Sequence, residues 1–439
     1  MSPILAGISG ILIMLLMFMT RMPVAFVMAL VGFAGFSLMI SPGAGLVLLS
    51  RNVYETFASY DLTTIPLFIL MGQLGFNSGI SKRLYDAGYK FLGSVRGGLA
   101  MATVSACTAF GAVCGSSPAT AATMATVGLP EMKRFNYDDE LSTGAVASGG
   151  GIGMIMPPSV VLIIYGILTE QSIGQLFVAG IFPALLVTLL FIVSIYLRCR
   201  MAPDQGPAGE RFSWPEKLRA LMGLGETIAV FTLVVGGIFY GLFTPTEAAA
   251  VGAFGVLAIA VVRRQITWQG VVNSLMETLR TSCMVLMLIT GAVIFGKFLA
   301  VTRIPFEIAA WVSGLEMSPI LVMGVIILIY FLGGCFMDAL AFVTLTVPIF
   351  FPVVMELGYD PIWFGIIIVM VTEMGVITPP VGINVYVVYG VARNVLEKEV
   401  PLENIFKGIT PFLIAVIIGV VILILFPRII LFLPPLMYA

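Results

Sequence analysis

Two polar clusters, each beside glycine, interrupt otherwise apolar stretches of the chain. The first covers residues 115–120 and contains Ser116 and Ser117, and the second covers residues 333–338 and ends in Asp338. A chain that turns inside an apolar stretch leaves carbonyl and N–H groups without helical partners. The side chains add hydroxyl and carboxylate oxygens, which suit a small hard cation. The residue types therefore predict ion binding at both clusters.

A glycine-rich segment that contains two consecutive prolines follows each cluster. These segments cover residues 148–159 and 375–382. A helix does not continue through two prolines, so each segment must unwind and expose carbonyl oxygens. Glycines alone could serve close helix packing, but packing gives no reason for a Pro-Pro break in both halves. We therefore predict two sites for a Na⁺-like cation, one at each cluster and its break.

The clusters and breaks recur with the same spacing in both halves of the chain. An offset of 222 residues relates Pro130 to Pro352, Asp138 to Asp360, Gly153 to Gly375 and Pro158 to Pro380. The chain therefore consists of two copies of one arrangement. Interrupted apolar segments at corresponding positions of two halves are the best sequence indication of a transporter binding site.

Asp338 has two possible roles. A charged residue at membrane depth is functional by default, so Asp338 is a candidate ligand for the cation or a solute. The alternative is a cap on the helix that follows the second cluster. Asn384, just after the second break, can hydrogen-bond freed backbone groups or a ligand.

The composition is that of an integral membrane protein. Of 439 residues, 59% are hydrophobic and only 10% are charged, and the mean hydropathy is +1.09. A net charge of −1 gives no basic face for nucleic acid. The chain has no His, and its five Cys show no CxxC spacing, which argues against transition-metal or His-based chemistry. We expect no enzyme activity and no cofactor beyond the predicted Na⁺-like cations.

Apolar runs between charged or Pro/Gly breaks predict an all-α polytopic membrane protein. The predicted first repeat is residues 1–200, with spans at 4–20, 23–40, 62–79 and 173–197, an amphipathic arm at 82–96, a re-entrant hairpin at 98–132 and a broken helix at 138–168. A cytoplasmic linker is predicted at 201–218. The second repeat is residues 219–439, with spans at 226–242, 246–262, 281–300 and 410–427, an arm at 266–280, a hairpin at 318–352 and a broken helix at 361–391. A re-entrant tip is tolerated only where it is buried in protein or lines a cavity.

The basic residues of the loops predict the orientation of the two repeats. Six surround the first hairpin, namely Lys82, Arg83, Lys90, Arg96, Lys133 and Arg134. The matching stretches 302–317 and 353–361 hold only Arg303 as a basic residue. By the positive-inside rule, the first hairpin enters from the cytoplasm and the second from the opposite side. The repeats are therefore predicted to be inverted, with both chain ends outside the cytoplasm.

These motifs resemble those of the large membrane subunit of tripartite ATP-independent periplasmic (TRAP) transporters. The resemblance rests on residues 115–122, on Pro157 Pro158 Ser159 and on residues 378–384, and it covers essentially the whole chain. It implies an elevator-type secondary transporter of the bacterial inner membrane, driven by Na⁺. It further implies a carboxylate solute, such as a C4-dicarboxylate, sialic acid or another sugar acid, delivered by a periplasmic binding protein. A small membrane subunit of about four helices is expected as a separate chain.

The resemblance also assigns roles to individual positions. It places the sodium sites on the first cluster with Gly153, Met156 and Pro158, and on the second cluster (Gly333, Gly334 and Asp338) with Gly375, Thr378 and Pro380. The solute is expected between the clusters, near Ser116, Ser117, Ser159, Asp338 and Asn384. Half-helix ends and bound Na⁺ would offset the charge of a carboxylate without an Arg in the membrane.

Two alternatives are kept open. One is a dicarboxylate or ion transporter of the same hairpin architecture that works without a binding protein. The other, from a different class, is a channel or a membrane scaffold that transports nothing.

Overall fold

The computed structural model describes residues 2–20, 22–307, 310, 318–396 and 400–437, and the regular structure of these ranges is helical. Part of the stretch 302–317, which the orientation prediction used, lies outside the described residues. The helices are α1 Pro3–Phe18, α2 Val24–Met39, α3 Pro42–Ala58, α4 Thr64–Asn77, α5 Ile80–Leu92, α6 Gly98–Cys114, α7 Ser117–Arg134, α8 Asp139–Ile155, α9 Val160–Thr169, α10 Ile173–Met201, α11 Trp214–Phe231, α12 Gly237–Phe239, α13 Pro245–Val262, α14 Trp268–Thr302, α15 Pro319–Gly334, α16 Ala339–Glu356, α17 Pro361–Ile377, α18 Ile383–Val395, α19 Leu402–Leu425 and α20 Arg428–Leu431.

Seven helical stretches of the described residues have the length and composition to cross a membrane. They are Asp139–Thr169, Ile173–Met201, Trp214–Phe239, Pro245–Val262, Trp268–Thr302, Ala339–Glu356 and Leu402–Leu425. Large apolar side chains such as Leu16, Leu38 and Phe254 are exposed on the outside, where lipid tails are the compatible solvent. The chain is therefore a multi-pass membrane protein.

Each half builds a helical hairpin that packs on a broken helix. The first hairpin is α6 with α7, and the first broken helix is α8 with α9; α8 packs against both hairpin helices. The second hairpin is α15 with α16, and the second broken helix is α17 with α18; α17 packs against both hairpin helices. The predicted class of two repeats with two hairpins and two broken helices is confirmed.

The two halves interlock through their broken helices. Helix α8 packs against α17 and α19, and α18 packs against α7 and α8. Residues 141–166, which include the first break, are all buried. The first broken helix therefore forms the centre of the main hydrophobic core.

Helices α1, α2, α4, α13 and α14 form a frame beside this centre. Helix α14 packs against α2 and α4, and α4 packs against α13. A second, smaller core holds Met14, Val27, Phe295 and Phe298 between α1, α2 and α14. Leu345 of the second hairpin also belongs to this smaller core, and α4 and α13 contribute to the main one, so frame and hairpins share both cores. The division into a scaffold and a moving body stays a prediction.

The structure differs from the predicted elements in two places. Helix α3 lies in a stretch where no span was predicted, because Arg51, Asn52 and Glu55 interrupt its apolar residues. One helix, Trp268–Thr302, covers both the predicted arm 266–280 and the predicted span 281–300. It continues because neither proline nor glycine stands between them to end it.

The predicted linker 201–218 packs onto the base of the first hairpin. Gly206 O accepts from Gly97 N at 2.8 Å, and Gly209 N donates to Gly93 O at 2.7 Å. Helix α11 begins within the linker at Trp214, where Ser213 and Glu216 form a capping box. The linker therefore does more than join the halves.

Candidate functional site

The tip of the first hairpin is a tight turn over the first break. Gly115 has a φ of +65°, in the left-handed region that favours glycine. A Cβ built on Gly115 would lie 2.2 Å from Pro158 O, so the close approach also requires glycine. Val160 N donates to Gly115 O at 3.4 Å. This backbone bond ties the tip to the residue after the break.

The first break brings oxygen atoms of the tip against a glycine. Helix α8 ends at Ile155 because Pro157 and Pro158 follow, and Ser159 Oγ caps α9 by accepting from Leu162 N at 3.3 Å. A Cβ built on Gly153 would lie 2.5 Å from Thr120 Oγ1 and 3.2 Å from Ser116 O. Carbonyl and hydroxyl oxygens therefore meet at Gly153, as a Na⁺-like ion requires.

The second tip repeats this contact with its own break. A Cβ built on Gly375 would lie 2.4 Å from Gly334 C, so the two backbones touch. Val381 N donates to Cys335 O at 3.3 Å, so a backbone bond joins tip and break here too, although not between the residues equivalent to Val160 and Gly115. Each tip is thus fixed to the break of its own half.

Asp338 caps the helix that leaves the second tip. Its Oδ2 accepts from Leu340 N at 3.0 Å and from Ala341 N at 3.4 Å. The carboxylate also lines the cavity described below and is only half-buried. The cap that the sequence left as an alternative is therefore present, and it does not prevent a second role toward a ligand.

The two breaks differ in exposure. At the second break, Thr378 Oγ1 donates to Met374 O at 2.6 Å, and Gly382 has a φ of +60°. Pro380 is exposed, whereas its equivalent Pro158 is buried. The second break therefore lies at the surface of the chain, and the first lies in its core.

A cavity of about 230 Å³ lies between the two tips and the frame. Its polar lining consists of Ser116, Ser117 and Asp338 from the tips, with Gln73 on α4 and Thr281 on α14. The first residues of three helices also line it: Ser117 of α7, Val160 of α9 and Ala339 of α16. Helix N-termini carry partial positive charge, which favours an anionic group, although Ser159 already caps α9 and Asp338 already caps α16.

The predicted solute residues divide into two groups. Ser116, Ser117 and Asp338 line the cavity, whereas Ser159 and Asn384 do not. Asn384 is fully buried, and its Nδ2 donates to Ser117 Oγ at 2.8 Å and to Ala147 O at 3.1 Å. As ligands of a solute, all five stay predictions.

The predicted cation residues lie around the two tip–break contacts. Gly153, Met156 and Pro158 belong to the first break, and Gly375, Thr378 and Pro380 belong to the second. Gly334 contacts Gly375, while Gly333 faces the Phe342 ring. Their role in binding Na⁺ stays a prediction.

Sequence reasoning missed two polar residues of the cavity, Gln73 and Thr281. Both come from frame helices, and both are half-buried. Gln73 is the one polar residue of the run 65–76, which is a signal that could have been read. Thr281 gives no such signal because threonine is common in membrane helices.

Comparison with known proteins identifies the family of the chain. The family model described as "Tripartite ATP-independent periplasmic transporter, DctM component" matches residues 11–429. A C4-dicarboxylate TRAP transporter large permease protein DctM of Pseudomonas aeruginosa is 37% identical over 391 residues, which are 88% of this chain and 89% of that protein. An isethionate TRAP transporter permease protein DctMQ of Oleidesulfovibrio alaskensis is 33% identical over 84% of this chain and 58% of its own length.

A solved structure shares the fold at low sequence identity. The Alcanivorax borkumensis YdaH transporter superposes with a TM-score of 0.61 at 16% identity, covering 88% of this chain and 90% of its own. The tip–break geometry, the match over residues 11–429 and the relative at 37% identity agree. The chain belongs to the DctM component family of the tripartite ATP-independent periplasmic transporters.

Proposed function

We propose that this chain is the membrane permease of a Na⁺-coupled uptake system for a small carboxylate solute. The observation that carries the proposal is the cavity that both hairpin tips share. Three helix N-termini line it, and Asp338 is the one charged residue among its described lining residues. Because Asp338 already caps α16, an anionic group would rely on the helix dipoles, the tip hydroxyls and nearby Na⁺ for charge balance.

The division into a frame and a hairpin body supports an elevator mechanism. Gln73 and Thr281 approach the cavity from the frame, whereas Ser116, Ser117 and Asp338 approach it from the tips. If the hairpins and broken helices slide as one body, the solute loses its frame contacts and keeps its tip contacts. Alternating access then needs no change in the tips themselves.

The two tip–break contacts are the proposed Na⁺ sites. The first offers Ser116 O and Thr120 Oγ1 against Gly153, and the second offers the backbone of residues 334 and 375 with Thr378. Because the same breaks also contact the tips that line the cavity, ion binding would order the solute site. This linkage is the proposed basis of symport.

The family implies two partners, which we propose also for this chain. One is a small membrane subunit, and the other is a periplasmic protein that delivers the solute. The DctMQ relative is longer than this chain, and its name supports a joint large and small subunit in that protein. The proposed location is the bacterial inner membrane, with both chain ends on the periplasmic side.

Uptake by proteoliposomes tests the proposal. The chain and its small subunit are reconstituted, and labelled succinate or sialic acid is added with the purified binding protein under an inward Na⁺ gradient. We expect uptake that requires both the binding protein and Na⁺, and Ser116→Ala should weaken it without reducing membrane insertion. Uptake in the absence of the binding protein would favour a stand-alone transporter, and an unsaturable leak would favour a channel.

A further inference from the structure

One buried carboxylate belongs to neither proposed cation site. Glu373, on α17, is 3% exposed, and within the described residues neither of its carboxylate oxygens has a hydrogen-bond partner. The Ser117 hydroxyl lies beside the carboxylate without meeting hydrogen-bond geometry. The charge that acts on Glu373 in the described part of the chain is that of Asp338, which has the same sign. An ionised carboxylate in such surroundings is strongly unfavourable unless a cation accompanies it.

The opposite broken helix has a recess for this carboxylate. A Cβ built on Gly151 would lie 1.4 Å from Glu373 Oε1, so the oxygen occupies the space where a side chain would begin. The offset of 222 residues makes Gly151 the equivalent of Glu373 in the first repeat. One carboxylate thus fills a space between equivalent positions of the two repeats that two carboxylates could not share.

A further oxygen atom on the same helix also lacks a partner. Ser148 is one helical turn before Gly151 and therefore on the same face of α8. Its Oγ is buried without a hydrogen-bond partner in the described part of the chain. Unpaired buried hydroxyls are uncommon in native proteins and call for an unseen partner. Hydroxyl and carboxylate oxygens together are the donors that a Na⁺-like cation takes.

We propose that Glu373 is the anionic ligand of a third monovalent-cation site, which lies between the two broken helices. Ser117 and Ser148 are its proposed hydroxyl ligands, and Gly151 provides the space. The site differs from the two tip–break sites because it has no symmetry mate. It rests on the proposed Na⁺ coupling and adds one ion to it. Since Ser117 also lines the solute cavity, this ion would link the interior of the hairpin body to the solute.

Direct Na⁺ binding tests the third site. The probe is ²²Na⁺, measured by scintillation proximity on the chain with its small subunit in lipid nanodiscs. We expect Glu373→Gln to bind one Na⁺ fewer per chain than wild type. Glu170→Gln, which neutralises an exposed carboxylate at the end of α9, should bind as wild type does. An unchanged Na⁺ count in Glu373→Gln, as a proton in place of the cation would give, overturns the proposal.

Thermal unfolding in choline and in sodium buffer provides a second readout. Glutamine has the shape of glutamate without its charge, so Glu373→Gln should unfold in choline at the same temperature as wild type or at a higher one. Adding Na⁺ should raise the unfolding temperature of wild type more than that of the variant. A variant that is less stable than wild type in choline overturns the proposal, because the carboxylate then has a partner without the ion. If wild type binds no Na⁺ at all, the proposed sodium coupling fails together with this site.

Discussion

The Asn384 amide donates a 2.8 Å hydrogen bond to the Ser117 hydroxyl and so joins the helix after the second break to the tip of the first hairpin. The two residues lie 267 positions apart and belong to different repeats. Both are buried, and Asn384 also bonds to Ala147 O on the first broken helix. The two halves of the hairpin body are therefore fixed to each other next to the cavity.

Asn384→Ala should loosen this connection. It leaves the Ser117 hydroxyl without its partner and removes the side-chain bond to the Ala147 carbonyl, so we expect a loss of about 1–3 kcal/mol in unfolding free energy. If Asn384 acts by fixing Ser117, half-maximal uptake will need more Na⁺ while the KM for the solute changes little. A selective rise in KM would show instead that Asn384 binds the solute. The double variant with Ser117→Ala measures the coupling between the two residues.

Gly115→Ala should disable the first tip. Alanine in the left-handed region costs about 1–2 kcal/mol, and its Cβ would also collide with Pro158 O. Uptake should fall by more than about tenfold, since ~1.4 kcal/mol is a factor of ten in an equilibrium constant. Gly358→Ala is the matched control, because Gly358 has a φ of +78° and open space around its Cα. Equal losses in both variants would mean that the contact with Pro158 is unimportant.

Asp338→Asn and Asp338→Ala separate the two roles of Asp338. Asparagine keeps an oxygen that can accept from Leu340 N and Ala341 N, whereas alanine removes the cap at a cost of about 1 kcal/mol. We expect Asn to preserve thermal stability and still to weaken the dependence of uptake on Na⁺. Wild-type Na⁺ dependence in Asp338→Asn would reduce Asp338 to a helix cap.

Gly151→Ala should displace the Glu373 carboxylate. Overpacking of a buried contact costs roughly 1–3 kcal/mol, so the variant should unfold at a lower temperature. The double variant with Glu373→Ala should recover part of the lost thermal stability, because removing the carboxylate leaves room for the added methyl group. Gly390→Ala, in α18 with nothing near its Cα, is the control and should be as stable as wild type. If the stability losses of the two single variants simply add in the double variant, the contact between residues 151 and 373 is contradicted.

Replacing Na⁺ with K⁺ should lower the unfolding temperature of the purified chain. A ligand that binds only the folded state stabilises it by RT ln(1 + [L]/Kd), about 2.7 kcal/mol at a hundredfold excess over Kd. Thr378→Val keeps the shape of the side chain and removes its hydroxyl at the second break. We expect it to reduce the Na⁺-dependent shift, whereas a full shift would place Thr378 outside the ion site.

The sequence was sufficient for the hairpins and breaks because their signals are local. Glycine at a tip and two prolines at a break act on the backbone within a few residues, and the offset of 222 residues repeats them. The sequence was insufficient for α3, because polar and charged residues interrupt its apolar pattern. Ser41 before Pro42 is nevertheless a helix-start signal. The sequence also predicted a boundary between the arm and the span at Arg280 and Thr281, where helix α14 continues.

Site residues that lie within one repeat could be predicted from the sequence. Contacts that form between the two repeats could not. Ser116 and Asp338 were recognised because each lies at its own tip. The bond of Asn384 to Ser117 and the fit of Glu373 against Gly151 arise only when the halves come together. Gln73 enters the cavity from the frame, and no local pattern shows which face of a span will meet a hairpin.

The unbroken α14 makes the two arms mechanically unequal. At 35 residues it is about 52 Å long, well beyond the ~30 Å of hydrocarbon that it crosses. The first arm, α5, is a separate helix, because the chain turns at Gly79, whose φ is +69°. One arm is thus the continuation of a frame helix, and the other is joined to the frame through a turn. Movement of the hairpin body relative to the frame would therefore act on the turn at Gly79 on one side and on the continuous helix α14 on the other.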